Sequence, residues 1–246
     1  AIHSSGYTGE GVTIALVDGP INTQIPELAG ARIQSYSPCA VDSQDKSWDQ
    51  GTVIAQVISS PQFGVAPGAN LRAYTLSFAG ETTGNDCALG QWGRGYSDLA
   101  LLIEDALNDG VDVITTSSSY PSDYEGMRWA LARAIASKVP VVACVGNDST
   151  SNSTDWLPAW GGVVGVGAIE TNGRPSDYQN WGRPLSTAAL ARPLARSGVS
   201  QERGEWWGTS FASPVVAGSL ALSMQRWPRA TGNQIMQGLA RTGVGG

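Results

Sequence analysis

The chain has 246 residues, 41% of them hydrophobic and 15% charged, with a formal net charge of −6. That length and apolar content suit one α/β domain with a sizeable core, here 1–246. The acidic balance, with no basic run, argues against nucleic acid or an anionic membrane as partner. One histidine and three cysteines without ligand spacing, Cys39, Cys87 and Cys144, argue against a zinc site, so no metal and no cofactor is expected. No apolar stretch reaches membrane-spanning length and no signal peptide opens the chain. Because it starts at Ala1 without methionine, a trimmed leader is compatible with it.

The first predicted element is a buried strand over 12–17, Val-Thr-Ile-Ala-Leu-Val, which ends in Asp18-Gly19-Pro20. Residues 31–48 read as polar and irregular. A helix follows over 50–58, with Asp49 as its cap and Ser60-Pro61 as its stop. A turn at 64–69 leads into a strand over 71–76. Residues 79–96 are a glycine-rich loop, and Ser97-Asp98 starts a helix that runs to Leu107 and stops at Asn108-Asp109-Gly110. A strand over 111–116 comes next. A helix over 125–138 follows, with Trp129, Ala132 or Arg133, and Ala136 at helical spacing. Strands over 139–145 and 163–169, a helix over 215–224 and a closing helix over 231–242 complete the series. Alternation of strand and helix predicts a doubly wound, mainly parallel central sheet with helices on both faces.

In such a sheet, residues at the carboxyl ends of strands converge on one crevice. Asp18 and Asn147 hold those positions, and for Asp18 an aspartate that opens a turn is the alternative reading. Ser210, in Gly208-Thr209-Ser210-Phe211-Ala212-Ser213-Pro214, stands at a helix start. There the backbone N–H groups favour an anion, which suits a nucleophile, and a serine N-cap is the alternative. Cys144 lies in an apolar run and reads as a buried free thiol. Cys39 and Cys87 lie in loop-like segments, and whether they pair stays open. Most of the nine tryptophans are expected in the core, with Trp206-Trp207 a place for substrate or partner contact.

Taken together, these motifs resemble the subtilisin-like serine peptidase family, over nearly the whole chain from about Ile2 to Thr242. Val17-Asp18-Gly19 stands where the family has its catalytic aspartate, and Val145-Gly146-Asn147-Asp148 where it has its oxyanion-hole asparagine. Residues 208–214 match its nucleophile motif at nearly every position. Within the family, Asp18-Gly19-Pro20, Gly64-Val65-Ala66-Pro67-Gly68, Ser97-Asp98-Leu99-Ala100 and Tyr178-Gln179-Asn180-Trp181-Gly182 are similar to cyanobactin-type maturation proteases, which cleave leaders from ribosomal precursor peptides. The short connection 59–63 leaves no room for the helical insertion of macrocyclising members and little for a calcium loop. The resemblance implies substrate-flanking segments at Gly93-Arg94-Gly95 and at Ser117-Ser118-Ser119-Tyr120. The latter departs from the family's glycine-rich wall, and Tyr120 is expected to crowd the substrate.

The largest departure is Gln50, in Asp49-Gln50-Gly51-Thr52, where the family has its general-base histidine. The only histidine, His3, falls in the approach to the first strand, as a structural residue. An amide can only hydrogen-bond. It can neither take the serine proton nor return it to the leaving amine. In subtilisin itself, loss of the histidine lowers kcat by about 10⁶ and leaves about 10³–10⁴ over water. Three accounts follow. In one, Gln50 is a substitution that inactivates an ordinary serine endopeptidase with Ser210, Asp18 and Asn147 otherwise in place. In another, the chain is a natural pseudoprotease that binds a peptide or partner protein. In the third, the same serine works by another route, acyl transfer or cyclisation, or with a base supplied by the substrate or by Asp49. The expected partner is a peptide or protein substrate. A peptide-maturation role points to the cytoplasm, with a secreted protein as the alternative.

Overall fold

Thr13–Asp18 (β1) is buried on both faces, which is why it reads as an unbroken apolar run. Ile14 and Leu16 enter one core, while Ala15 and Val17 enter the other. The computed structural model describes residues 2–38, 41–76, 98–118, 125–151 and 156–242.

After β1 come Ile33–Tyr36 (β2), helix Ser47–Ser59 (α1), Asn70–Thr75 (β3), helix Asp98–Asn108 (α2) and Val113–Thr116 (β4). Helix Glu125–Ala136 (α3), Val141–Cys144 (β5), Val163–Ile169 (β6) and Thr187–Leu190 (β7) follow. Leu194–Arg196 (β8) and Arg203–Glu205 (β9) precede helices Ser213–Arg226 (α4) and Gly232–Thr242 (α5). The main sheet has seven strands in the order β2-β3-β1-β4-β5-β6-β7, and every pairing in it is parallel. β8 and β9 form a separate antiparallel ribbon.

Helices cover both faces. The α1 residues Val53, Ile54 and Ile58 and the α4 residues Ala217, Leu220 and Ala221 pack with Ile14 and Leu16. The α2 residues Leu102 and Ile103 and the α3 residues Met127, Ala130 and Leu131 pack with Ala15 and Val17. The doubly wound parallel sheet anticipated from the alternation is therefore the fold. Among the described residues no helix is long and apolar enough to cross a membrane.

Four expectations need correction. α1 begins at Ser47, so Asp49 is in its first turn and does not cap it; the N-cap position is Lys46, without a side-chain cap bond, and just ahead of it the Asp45 Oδ1 accepts from the Ser47 N–H at 2.8 Å. α3 turns the opposite face inward. Gly126, Met127, Ala130, Leu131 and Ala134 are buried, while Trp129 is 61% exposed and Ala132, Arg133 and Ala136 face out. A stripe of small residues lets the helix approach the sheet and α2, which an indole would prevent. The segments 31–48 and 187–205 contain β2, β7, β8 and β9. These strands have three or four residues each and are mostly exposed or half-buried, so they lack the apolar run that reveals β1. None of the described tryptophans is fully buried: Trp129, Trp181, Trp207 and Trp227 are exposed, and Trp48, Trp156, Trp160 and Trp206 are half-buried, with Trp206 and Trp160 packed against the two cores. The Cys39–Cys87 question lies outside the described residues, whereas Cys144 is buried and free.

Candidate active site

The strand order sets β1, β4 and β5 side by side, so their carboxyl ends supply Asp18, Ser117 and the loop that carries Asn147 to one edge. The N-terminal turn of α1 brings Gln50 to that edge, and the turn before α4 brings Ser210.

Asp18 is 1% exposed. Its Oδ1 accepts from the Gly19 N–H at 2.8 Å and from the Gln50 Nε2 amide at 3.0 Å. Its Oδ2 accepts from the Ser117 N–H at 3.1 Å. Burial raises the Asp18 pKa above the ordinary carboxylate value, against the lowering effect of these donors. All three donors are neutral, and the cation that a histidine would form beside this carboxylate is missing. Because a carboxylate only accepts, the Gln50 amide must present its nitrogen to Asp18.

Two glycines make this contact geometrically feasible. A Cβ on Gly19 would lie 2.1 Å from the Ser47 carbonyl oxygen, and one on Gly51 would lie 2.2 Å from the Gly19 carbonyl oxygen. The backbone of α1 thus rests directly on the turn after β1, and position 50 comes within reach of Asp18.

Asn147 follows Gly146, whose φ of +98° turns the chain out of β5. Its Oδ1 accepts from both the Thr209 N–H, at 2.8 Å, and the Thr209 hydroxyl, at 3.0 Å. That fixes the amide orientation and leaves Nδ2 as the outward donor. Nδ2 lies 3.3 Å from where a Cβ on Gly208 would be, close beside the nucleophile segment. The Thr209 Oγ1 also accepts from the Gly146 N–H at 3.1 Å. Asn180 holds the same loop from behind: its Oδ1 accepts from the Asp148 N–H at 2.8 Å and its N–H donates to the Gly146 carbonyl at 3.0 Å. A preorganised amide donor of this kind can stabilise the oxyanion of an acyl-transfer intermediate.

Ser210 is half-buried in the 3₁₀ turn Thr209–Phe211 that leads into α4. Its carbonyl accepts from the Ser117 hydroxyl at 3.0 Å. The buried Cys144 thiol donates to the carbonyl of the same Ser117 at 3.1 Å. Burial pushes this thiol up to about 11, so it stays neutral.

The structure therefore brings Asp18, Gln50, Asn147 and Ser210 to one edge. Ser117 and Ser118 are both buried there, and the described bonds of Ser117 go to Asp18, Ser210 and Cys144. Gly93, Arg94, Gly95, Ser119 and Tyr120 lie outside the described residues. Asp49 is engaged elsewhere: its Oδ1 accepts from the Ser197 hydroxyl at 2.5 Å and the Val199 N–H at 2.9 Å. His3 is exposed and donates to the Val65 carbonyl at 2.8 Å. Thr209 and Asn180 escaped the sequence reading as positioning residues. A threonine beside the serine and an asparagine in Tyr178-Gln179-Asn180-Trp181-Gly182 were visible, but a hydrogen bond across 62 or 32 residues leaves no local pattern.

A buried aspartate, an asparagine amide and a helix-start serine thus meet at one parallel-sheet edge of a subtilisin-like α/β fold. A family model described as the Subtilase family matches residues 9–244, and the chain belongs to that family. It is 29% identical to subtilisin E of Bacillus subtilis (strain 168) over 250 residues, covering 98% of this chain and 63% of that protein. It is 31% identical to subtilisin BL of Lederbergia lenta over 247 residues, covering 98% and 87%. The solved structure of the prenylagaramide maturation protease PagA superposes with a TM-score of 0.77 at 25% identity, covering 96% of this chain and 83% of that one. Maturation proteases of the cyanobactin type are thus among its structural neighbours. The chain spans less than two thirds of the length of subtilisin E.

Proposed function

We propose that this chain is a subtilisin-like serine endopeptidase scaffold for processing a peptide, of the ribosomal precursor class, with conventional peptidase activity strongly impaired by Gln50. Ser210 is the nucleophile, Asn147 the oxyanion donor and Asp18 the orienting acid. Gln50 occupies the place of the general base. The observation that carries this reading is the 3.0 Å bond from Gln50 Nε2 to Asp18 Oδ1. The amide takes up the orienting bond that an imidazole would make, without a group that can hold the serine proton. Asp49 is not a substitute, because Ser197 and Val199 hold its carboxylate.

The same bond also supports a second reading, a peptide- or protein-binding pseudoprotease, since it leaves Asp18 with three donors and a settled environment. Two measurements separate the readings. If Gln50→His cleaves peptides and the unmodified chain does not, the impaired-peptidase reading holds. If neither cleaves, while the unmodified chain binds peptides, the pseudoprotease reading replaces it.

A further inference from the structure

Position 50 lies in the first turn of α1, and the Lys46 side chain at the N-cap makes no cap bond to that turn. Helix ends fray unless their free backbone groups are held. Besides Asp45, the turn of the β8–β9 ribbon, residues 197–202, grips this end. The Asp49 Oδ1 accepts from the Ser197 hydroxyl at 2.5 Å and from the Val199 N–H at 2.9 Å. A Cβ on Gly198 would lie 2.3 Å from the Trp48 carbonyl oxygen and 2.5 Å from the Thr52 hydroxyl oxygen, so the ribbon rests on α1 on both sides of position 50. Asn22, in the segment after β1, closes the contact. Its N–H donates to the Thr52 hydroxyl oxygen and its Nδ2 to the Gly198 carbonyl, each at 2.9 Å.

The other end of the ribbon reaches the nucleophile. β9 runs into Trp206, whose Nε1 donates to the Ala195 carbonyl at 3.2 Å. The Trp206 ring centroid lies 6.2 Å from that of Phe211, the residue after Ser210. β8 has fastenings of its own. The buried Gln56 amide donates to the Arg196 carbonyl at 2.8 Å and accepts from its N–H at 3.0 Å. The buried Glu27 carboxylate holds the Arg196 guanidinium by two bonds, at 2.7 and 3.0 Å. Ser197 keeps its own turn closed by accepting from the Val199 and Ser200 N–H groups, at 3.2 and 2.9 Å. Removing the Asp49 carboxylate therefore loosens the contact between the 197–199 loop and the first turn of α1 without detaching the ribbon.

We infer that Asp49 is a positioning residue for position 50: through Ser197 and Val199 it fixes that side chain relative to Ser210, with the β8–β9 ribbon as the strut between them. This rests on the peptidase-scaffold reading above. The Asp49 carboxylate acts as the acceptor of two hydrogen bonds, and neither its charge nor proton transfer is involved. A misplacement of about 1 Å in a reacting group costs about a hundredfold in rate, so release of one helical turn at one of its fastenings is expected to cost about tenfold or more.

The test is the reaction of Ser210 with a fluorophosphonate, resolved into its limiting rate and its half-saturating concentration, in a double-mutant cycle of Gln50→His and Asp49→Ala. In the Gln50→His chain, Asp49→Ala should lower the limiting rate about tenfold or more beyond any effect it has in the unmodified chain, with the half-saturating concentration unchanged. Asp49→Asn keeps an oxygen acceptor for Ser197 and Val199 and should recover most of that loss. Equal effects of Asp49→Ala in the two backgrounds, no effect in either, or an Asp49→Asn chain as slow as Asp49→Ala overturns the inference and leaves the peptidase reading standing. A Gln50→His chain that does not react overturns the peptidase reading instead. In that case solvent exchange of the Gln50 side-chain amide, followed by NMR in the unmodified protein, decides the inference. Exchange about tenfold faster in Asp49→Ala, and not in Asp49→Asn, is expected. Exchange unchanged by Asp49→Ala overturns it.

Discussion

Replacing Gln50 by leucine isolates the bond on which the site turns. Leucine and glutamine have about equal helix propensity, so α1 should persist. What is lost is one of three N–H donors to a carboxylate that is 1% exposed. A hydrogen bond to a charged group contributes about 1.5–3 kcal/mol. Gln50 is only half-buried, so water replaces part of the loss and the expected cost is about 1–2 kcal/mol at neutral pH. The dependence on pH is the signature. Burial already raises the Asp18 pKa above that of the unfolded chain. Its contribution to stability is therefore fully present below the unfolded value, about 3.9, and is lost as pH rises through the folded value. Removing a donor to the ionised form raises the folded pKa further. The variant thus loses more at high pH and nothing once both states are protonated. A difference of 1–2 kcal/mol corresponds to about one pKa unit. Urea denaturation of both proteins at pH 8 and at pH 3 measures it. An equal deficit at the two pH values, or no deficit at pH 8, would refute the proposed donation from Gln50 to an ionised Asp18.

Other perturbations bear on the surrounding network. Thr209→Val strands the buried Gly146 N–H and removes one of the two bonds that orient Asn147. It should cost about 1–3 kcal/mol in urea denaturation and slow the reaction of Ser210 with a fluorophosphonate in a Gln50→His background. The Cys144 thiol, held at about 11 by burial, should resist iodoacetamide at pH 8 in the native protein and react once the chain is unfolded in urea. Gln56→Leu removes a buried amide that both donates to the Arg196 carbonyl and accepts from its N–H. Because it leaves both of those backbone groups unpaired, a loss of about 2–4 kcal/mol is expected by thermal or urea melting. Asp49→Ala should destabilise the 197–199 loop without lowering the residual reactivity of Ser210, whereas loss of that reactivity would make Asp49 a catalytic base after all.

How far the sequence could be read follows from where the physical signal resides. β1 and β6 carry unbroken apolar runs because both faces are buried, and their positions were legible to within a residue. β2, β8 and β9 are short and largely exposed, so their pairing comes from tertiary context and leaves no periodic trace. The helical spacing of Trp129, Ala132 and Ala136 marks the outward face of α3, because close packing places Gly126, Ala130 and Ala134, with Met127 and Leu131, against the core. At the site, Asp18 and Ser210 were visible as local motifs at element ends, and Gln50 as a departure from one. The orienting roles of Thr209, Asn180 and Ser117 rest on bonds between segments 32 to 99 residues apart, and no window along the chain contains them.

The central claim is that Ser210 has a nucleophile's setting and lacks only its base. The rate at which a fluorophosphonate modifies Ser210, compared between the unmodified protein and Gln50→His, measures this most directly. The account predicts slow or undetectable labelling of the unmodified chain and an increase of several orders of magnitude on restoring histidine, up to about 10⁶-fold. Equal labelling rates in the two proteins, whether both fast or both absent, would contradict it.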